Sequence, residues 1–236
     1  MLITSKTNKT YQQLLKIKKG HEDYLLIEGE DLISLAYKNK SLVTLISYEY
    51  IDQYLDIKHV ELTKNLYINL SSYNSLPKVM GVAEYKMQQE LNGDEIIYLD
   101  GIQDPGNLGT LFRSALAFNF KEIALSDKCV SPFNFKAVAA SKGSIFDLKI
   151  AKLDLQYFKD KNYHFYVTSL QGDDILNIKK LIKPYVLVLG SEGQGVSKKA
   201  LELSDDSLYI PIEREIDSLN VGVAGGITMF YFRSLK

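Results

Sequence analysis

Three loops within residues 95–236 carry the residues best suited to chemistry. The first contains Asp104-Pro105-Gly106-Asn107, a predicted turn that follows a strand and leads into a helix from Leu108. Gly106 and Gly109 would let a ligand approach the backbone at the start of that helix, where anions are favoured. Arg113 lies further along and is one of only three arginines among 28 basic residues. Its planar guanidinium suits phosphate better than an ammonium does, whereas the alternative is a plain surface loop.

The second loop, Gly190-Ser191-Glu192-Gly193-Gln194-Gly195, follows an apolar predicted strand. Its glycines lack the Gly-x-Gly-x-x-Gly spacing of a dinucleotide site, which disfavours a nucleotide-dependent oxidoreductase. Ser197 is suited to cap the helix that follows. Glu192 places a carboxylate among glycines in a tight loop, which indicates either a ligand site or a solvent-exposed turn.

The third loop follows a predicted strand that ends at Ile210-Pro211, and Asp217 or Ser218 is expected to cap the final helix. That helix is rich in small residues, namely Gly222, Ala224, Gly225 and Gly226. Each glycine in a helix costs roughly 1 kcal/mol relative to alanine. A ligand, a partner subunit or another piece of backbone is therefore expected to lie very close to it.

Strands and short helices alternate along the chain, which predicts an α/β fold. Before residue 85 the pattern predicts helices over 9–19, 30–38 and 49–55, with strands over 24–28, 42–47, 58–62 and 79–84. After residue 94 it predicts strands over 95–99, 122–125, 163–168, 185–189 and 207–210, with helices over 109–118 and 219–232. The long apolar strands favour a mostly parallel sheet covered on both faces. The polar segment 85–94 ends in Asn92-Gly93-Asp94, a turn signal that places a linker there.

Composition excludes several classes of protein. Of 236 residues, 46% are hydrophobic and 24% charged, with a net charge of −1, so the chain can form a core and is not a global polycation. Cys129 is the only cysteine, which excludes a disulfide within the chain and a cysteine-based zinc site, and no metal is expected. The absence of a long apolar stretch or signal-like start predicts a cytoplasmic protein without membrane contact. Residues 1–20 hold five lysines and no acid, so Lys6, Lys9 and Lys16 are candidate phosphate contacts; a solvated helix face is the alternative.

Taken together and in order, the three loops resemble the motifs of the SpoU (TrmH-type) RNA 2′-O-methyltransferases. The first resembles Asn-Pro-Gly-Asn-x-Gly…Arg, with Asp104 at the leading Asn position. The second matches Gly-Ser-Glu-Gly-x-Gly, and the third resembles Ile-Pro-Met…Ser-Leu-Asn-Val-Ser-Val-Ala. Ile212, Arg214 and Gly222 depart from the third pattern. The basic start, residues 27–29 and residues 77–83 are similar to a ribosomal protein of the L30e kind.

The resemblance implies a SPOUT architecture with an L30e-like α/β substrate-binding domain over residues 1–84, a linker over 85–94 and a methyltransferase domain over 95–236. The methyltransferase domain would be an α/β domain with a mostly parallel sheet and a C-terminal trefoil knot. It also implies a homodimer with an active site built across the interface. The cofactor would be S-adenosylmethionine and the partner RNA, with rRNA favoured over tRNA. A non-catalytic RNA- or ribosome-binding factor on the same scaffold is a second alternative, because fold does not fix function.

Residue roles follow from the same resemblance. The implied catalytic residues are Arg113, Asn107, Glu192, Ser218 and Asn220. The implied cofactor contacts are Leu189, Gly190, Glu192, Gly195, Ile210, Ile212, Leu219 and Asn220. Within the family the arginine is the usual candidate base; because a guanidinium stays protonated, a role for Arg113 in orienting phosphate and stabilising alkoxide charge is preferred.

Overall fold

Helices and strands alternate along the chain as predicted. The computed structural model describes residues 2–20, 23–72, 76–213 and 218–235. The strands are β1 (Leu2–Ile3), β2 (Tyr24–Glu28), β3 (Leu42–Ser47), β4 (Lys58–Leu62), β5 (Met80–Glu84), β6 (Glu95–Asp100), β7 (Glu122–Leu125), β8 (Lys149–Lys152), β9 (His164–Asp174), β10 (Tyr185–Gly190) and β11 (Asp206–Tyr209). The helices are α1 (Lys9–Lys18), α2 (Glu30–Lys38), α3 (Lys64–Leu70), α4 (Pro105–Ala117), α5 (Phe135–Ser141), α6 (Leu155–Asp160), α7 (Lys198–Leu203) and α8 (Val221–Ser234).

The chain folds into two units. Unit one comprises residues 1–86 and 131–146, and unit two comprises residues 87–130 and 147–236. The segment 131–146 carries α5, which packs against β2 of unit one. This segment lies inside the span 95–236 that the sequence assigns to the methyltransferase domain, so the chain enters unit one twice.

Unit one is built on a mixed sheet in the order β1-β4-β3-β5-β2. Pairing is parallel from β1 to β3 and antiparallel on either side of β5. Helix α1 begins where the Asn8 side chain accepts hydrogen bonds from the backbone N–H groups of the first turn. Its apolar face buries Tyr11, Leu14 and Ile17 against this sheet's core, so the opposite face is left to polar residues.

Unit two is built on a six-stranded sheet in the order β11-β9-β10-β6-β7-β8, in which every neighbouring pair is parallel. The central strand β10 reads Tyr-Val-Leu-Val-Leu-Gly, and its first five residues are buried. Such unbroken apolar strands are expected where both faces of a parallel sheet are covered. The prediction of a mostly parallel α/β sheet is confirmed, and the carboxyl ends of all six strands meet at one edge.

The predicted helix over residues 49–55 is wrong. This segment is irregular, with Tyr54 in the left-handed region at φ 57°. The Ser47 hydroxyl donates to the Glu49 carbonyl at 2.6 Å, which turns the chain as β3 ends. Tyr50 and Leu55 are 82% and 79% exposed, so the apolar spacing that suggested a helix has no surface to pack against. None of the described helices is long and apolar enough to cross a membrane.

Candidate active site

The three predicted loops lie at the carboxyl edge of the parallel sheet. The first follows β6, the second follows β10, and the third follows β11. Strands β6 and β10 are direct neighbours in the sheet. In open parallel sheets ligands bind at this edge, because the loops that leave neighbouring strands converge there.

The first loop positions Asn107 on the opening turn of α4. The Asp104 carboxylate caps the helix by accepting from the Asn107 backbone N–H at 2.8 Å, and Pro105 occupies the first helical position. The helix therefore begins at Pro105 rather than at the predicted Leu108. Because the cap fixes the first turn, the Asn107 side chain is held at the sheet edge.

The second loop is closed on itself. Ser191 and Gly195 exchange two backbone hydrogen bonds of 3.0 and 2.9 Å, and Gly195 has φ +67°, which favours glycine. A Cβ on Gly190 would lie 2.2 Å from backbone atoms of Gly195 and Val196, so only glycine fits where the loop folds back over the strand end. The Ser197 side chain caps α7, as predicted. This closed loop presents Glu192 to solvent.

Asp100 anchors the second loop, although sequence reasoning did not single it out. It is the last residue of β6, only 6% exposed, and its carboxylate accepts from the Ser197 backbone N–H at 2.7 Å. The two residues are 97 positions apart in the chain. Position at a strand end was the only sequence signal for Asp100, because the contact depends on the pairing of β6 with β10.

The third loop leads into α8, whose cap differs from the prediction. Asn220 is the capping residue, since its side-chain oxygen accepts from the Gly222 and Val223 N–H groups at 2.9 and 3.3 Å. Ser218 is not the cap, and Asp217 and the departure at Arg214 lie outside the described residues. Asparagine at this position takes over the role because its short amide reaches the first helical turn.

The glycine-rich face of α8 packs against α4 and the end of β10. A Cβ on Gly225 would lie 2.4 Å from Leu111 and 3.0 Å from Leu189. A Cβ on Gly222 would lie 3.0 Å from Thr110. The expected close neighbour of this helix is therefore another part of the same unit, and the small residue Gly222 suits that contact.

Two amides and a carboxylate from the three loops form one hydrogen-bonded cluster. The Asn107 amide donates to Glu192 Oε1 at 2.7 Å, and Asn220 Nδ2 donates both to Glu192 Oε1 and to Asn107 Oδ1, the latter at 3.1 Å. The bonds from Asn107 to Glu192 and from Asn220 to Asn107 span 85 and 113 residues of sequence. We call Asn107, Glu192 and Asn220 the amide–carboxylate cluster. Glu192 and Asn220 are exposed and Asn107 is half-buried, so the cluster is ordered and still accessible to a ligand.

A cleft of about 550 Å³ opens beside this cluster. Seven of the eight predicted cofactor residues line it, namely Leu189, Gly190, Glu192, Gly195, Ile210, Ile212 and Leu219. Ser218 lines it as well. Asn220 reaches the cleft only through its hydrogen bond to Glu192. The volume falls within the range of about 300–1,000 Å³ usual for small-molecule sites. The aliphatic side chains of this lining suit an adenine ring, and the backbone groups at the strand ends suit a ribose. The lining therefore fits S-adenosylmethionine.

One wall of this cleft comes from residues that sequence reasoning missed. Residues 168–171 of β9 and Tyr209, the last residue of β11, line the cleft. The Tyr209 hydroxyl donates to the Ile212 carbonyl at 3.2 Å and accepts from the Ile212 N–H at 3.3 Å. No motif marks residues 168–171, so only the strand order could have indicated them.

In the part of the chain that the structure describes, none of the predicted basic side chains forms a hydrogen bond with the amide–carboxylate cluster. Arg113 is exposed on α4, and within the described residues its side chain has neither a hydrogen bond nor an ion pair. Glu192 is bonded to the two amides and not to Arg113. In unit one, Lys6, Lys9 and Lys16 are exposed, the last two on the polar face of α1.

A parallel α/β sheet with this cleft and cluster at its carboxyl edge is typical of an enzyme that binds a small-molecule cofactor. Residues 94–230 match the model of the SpoU rRNA Methylase family, and the chain belongs to that family. It is an RNA methyltransferase whose cofactor is S-adenosylmethionine.

Relatives and solved structures agree with this assignment. The chain is 28% identical to the 23S rRNA (guanosine(2553)-2′-O)-methyltransferase RlmP of Bacillus subtilis over 227 residues, which cover 92% of each chain. Over 140 residues, 57% of each chain, it is 29% identical to the 23S rRNA (guanosine-2′-O-)-methyltransferase RlmB of Yersinia pestis. The structure of an AdoMet-bound rRNA methyltransferase from Sinorhizobium meliloti superposes with a TM-score of 0.85 at 25% identity, covering 99% of this chain and 97% of that one.

Proposed function

We propose that this enzyme methylates a ribose 2′-hydroxyl in 23S rRNA. The observation that carries the proposal is the amide–carboxylate cluster, which lies beside the cleft of about 550 Å³ (the cofactor cleft) and exposes Glu192 and Asn220 to an acceptor. The names of the Bacillus subtilis and Yersinia pestis relatives support the RNA and the acceptor atom. A non-catalytic binding factor would not require such a cluster at the mouth of a cleft that fits the cofactor.

The cofactor cleft would hold the adenosine part of S-adenosylmethionine. Leu189, Ile210 and Leu219 would pack against it, while backbone groups at Gly190 and Gly195 would satisfy its polar atoms. When bound, the cofactor supplies an electrophilic methyl group on its sulfonium. Because that reactivity belongs to the cofactor, the protein contributes chiefly by aligning the acceptor oxygen.

The amide–carboxylate cluster would provide that alignment. Asn107 would position the acceptor ribose, and Glu192 would hold both amides in one orientation through the bonds that they donate to it. Ser218, on the cleft wall, would complete the site with its hydroxyl. A ribose hydroxyl is a weak nucleophile until its proton is drawn away, so a fixed approach of the oxygen is the first requirement.

Arg113 would act on the RNA, orienting the phosphate beside the acceptor ribose and stabilising negative charge on its oxygen. Its exposure on α4 and its lack of a partner among the described residues support a role toward a bound polyanion. A guanidinium remains protonated in ordinary surroundings, so electrostatic stabilisation fits it better than proton removal.

We propose that two copies of the chain associate through α8. Val223, Ile227 and Phe230 are 50%, 41% and 60% exposed at spacings of four and three residues, so they form an apolar stripe on one face of this helix. Exposed apolar patches of this kind are typical of subunit interfaces. Arg113 lies on α4, the helix packed beside α8, which supports a site that a second copy completes.

The knot implied by the family is also a proposal for this chain. The tight packing of the α8 glycine face against α4 and Leu189 supports it, because a helix that passes through a loop needs close backbone approach. Lys6, Lys9 and Lys16 in unit one are proposed to contact RNA phosphates, which position an RNA without reading its sequence.

The test is methyl transfer from tritiated S-adenosylmethionine to transcripts of 23S rRNA and of tRNA, with cofactor binding measured by calorimetry. We expect saturable cofactor binding and label on 23S rRNA, at a ribose whose 3′ phosphodiester resists alkali. Asn220→Ala is expected to lose transfer. Cofactor binding without transfer to 23S rRNA, or transfer to tRNA alone, would overturn the proposed substrate, and a folded protein that binds no cofactor would overturn catalysis.

A further inference from the structure

A second cleft of about 650 Å³ lies on the other side of the Glu192 loop from the cofactor cleft. Residues 191–196 line both clefts and so form a common wall. Asn107, together with Glu192, gives this second cleft two of the three cluster residues. On the proposed function, the cleft that is not used by the cofactor is the one open to the RNA strand.

Three carboxylates line the second cleft, and each is engaged within the protein. Asp100 accepts from the Ser197 N–H, Asp104 accepts from the Asn107 N–H, and Glu192 accepts from two side-chain amides. Within the described residues, none of these three carboxylates forms an ion pair with either lysine that lines the cleft.

Lys128 and Lys198 are the two cationic side chains that line this cleft among the described residues. The Lys198 ammonium is 3.4 Å from Glu202 on an exposed helix turn. The Lys128 ammonium has no hydrogen bond or ion pair within the described part of the chain. An exposed ion pair is worth little, but it still makes Lys198 the less available of the two cations.

The backbone that carries Lys128 is held firmly against the first loop. The Gln103 amide donates to the Lys128 carbonyl, and the Val130 N–H donates to the Ile102 carbonyl at 2.8 Å. The Cys129 thiol donates to the Leu99 carbonyl at 3.1 Å, and burial raises its pKa, so it stays protonated. A lysine on a fixed loop loses little backbone freedom when it binds an anion. The entropy cost of binding is therefore smaller and the affinity for the anion is higher.

We infer that Lys128 binds an RNA phosphate next to the acceptor ribose and that Lys198 adds a weaker contact to the same strand. This inference rests on the proposed function and names a substrate-positioning residue outside the family motifs quoted above. An ammonium attracts phosphate as a point charge and releases counterions from the RNA when it binds. Lys128 would thus hold the strand while the amide–carboxylate cluster orients the ribose.

The experiment compares Lys128→Ala with Lys121→Ala, an exposed lysine of unit two that does not line either cleft. The probe is a 23S rRNA transcript, and the readouts are its Kd at several salt concentrations, KM and kcat for methyl transfer, and the Kd of S-adenosylmethionine. We expect Lys128→Ala to raise the RNA Kd and KM about fivefold and to reduce the salt slope by about one. Lys198→Ala should have a smaller effect, and Lys128→Arg should restore most of the affinity.

The outcomes separate this inference from the proposed function. If the wild type transfers methyl to the transcript and Lys128→Ala matches Lys121→Ala in RNA Kd and salt slope, the role of Lys128 is overturned while the proposed function stands. If the wild type neither binds nor methylates the transcript, both are overturned. A loss of S-adenosylmethionine binding in Lys128→Ala would also count against the inference, because the effect would then be structural.

Discussion

The two units place their polar residues in different ways. In unit two, six parallel strands end at one edge, and three loops bring together side chains that are up to 113 residues apart. In unit one, strands run in both directions, and the candidate contacts lie along one exposed helix face and the turn before it. A parallel sheet concentrates distant residues into one site, whereas an exposed helix presents a row of independent charges.

This difference has a thermodynamic meaning. Groups that share hydrogen bonds respond together, so removing one cluster residue should disable the others. Separate surface charges act nearly additively and are screened by salt. Single substitutions in the amide–carboxylate cluster of unit two should therefore lower activity strongly, whereas single substitutions of the lysines of unit one should only weaken RNA binding.

The largest effect is expected for Glu192→Ala. Loss of this carboxylate releases both amides of the cluster, and we expect kcat/KM to fall by at least about 100-fold, as when an oriented polar group is removed from other active sites. Stability should change little because Glu192 is exposed. The measurements are methyl transfer to 23S rRNA and a denaturant titration. Glu90→Ala, which removes an exposed acid of unit two that lines neither cleft, is the control, and equal activity of the two variants would contradict the shared role of the cluster.

A smaller effect is expected when the loop is distorted without loss of a polar group. In Gly190→Ala the added Cβ would meet backbone atoms at 2.2 Å, whereas at Gly193 it would meet nothing within 4 Å. We expect Gly190→Ala to weaken S-adenosylmethionine binding about tenfold or more, through overpacking of a fixed backbone. Gly193→Ala should bind like the wild type. Calorimetric titration checks both, and an unchanged affinity in Gly190→Ala would mean that the loop adapts freely.

Unit one should respond in small steps. Alanine at Lys6, Lys9 or Lys16 is expected to raise the Kd for a 23S rRNA transcript about two- to threefold each. The changes in binding free energy should add when these substitutions are combined. The slope of log Kd against log salt concentration should fall by about one per lysine. Cofactor affinity should not change. Filter binding at several salt concentrations measures this, and a single lysine that removed all binding would break the contrast between the two units.

The smallest effect is expected at Asp154, a polar contact of unit two away from the loops. A hydrogen bond from Lys199, followed by one from the Gln156 backbone, lowers the Asp154 pKa. A lowered folded-state pKa gives stability above the unfolded value of about 4 that is lost as pH falls through the folded value. Because the side chain is 65% exposed, Asp154→Asn should cost only about 0.5 kcal/mol at pH 7. Urea unfolding should show this difference shrink as the pH falls below the unfolded value of about 4, and a loss that persists in strong acid would point to packing.

Much of the fold was predictable from the chain because its strands are apolar and separated by clear turn residues. Predicted strands such as 24–28 and 122–125 have the same bounds in the structure. The irregular segment after β3 was not predictable, because whether Tyr50 and Leu55 find a packing surface depends on tertiary structure. The second entry of the chain into unit one at residues 131–146 also depends on a long-range contact, that of α5 with β2.

The site was predictable to the extent that glycines and strand ends mark it. Asn107, Glu192 and Asn220 were singled out, but their mutual hydrogen bonds follow from strand order, which local patterns do not encode. Asp100 and residues 168–171 carry no motif, and they join the site only because β6, β9 and β10 are neighbours. Arg113 and Ser218 were also singled out from the sequence, and the partners proposed for them, the RNA and the cofactor, lie outside the chain.

The common wall between the two clefts links their occupants. Residues 191–196 face both sides, so a ligand that stabilises one conformation of this loop changes the free energy of binding on the opposite side. By thermodynamic reciprocity, S-adenosylmethionine must alter RNA affinity by the same factor by which RNA alters cofactor affinity. After methyl transfer, residues 191–196 contact the demethylated cofactor instead of S-adenosylmethionine. This one short turn can therefore set the order in which substrates bind and products depart.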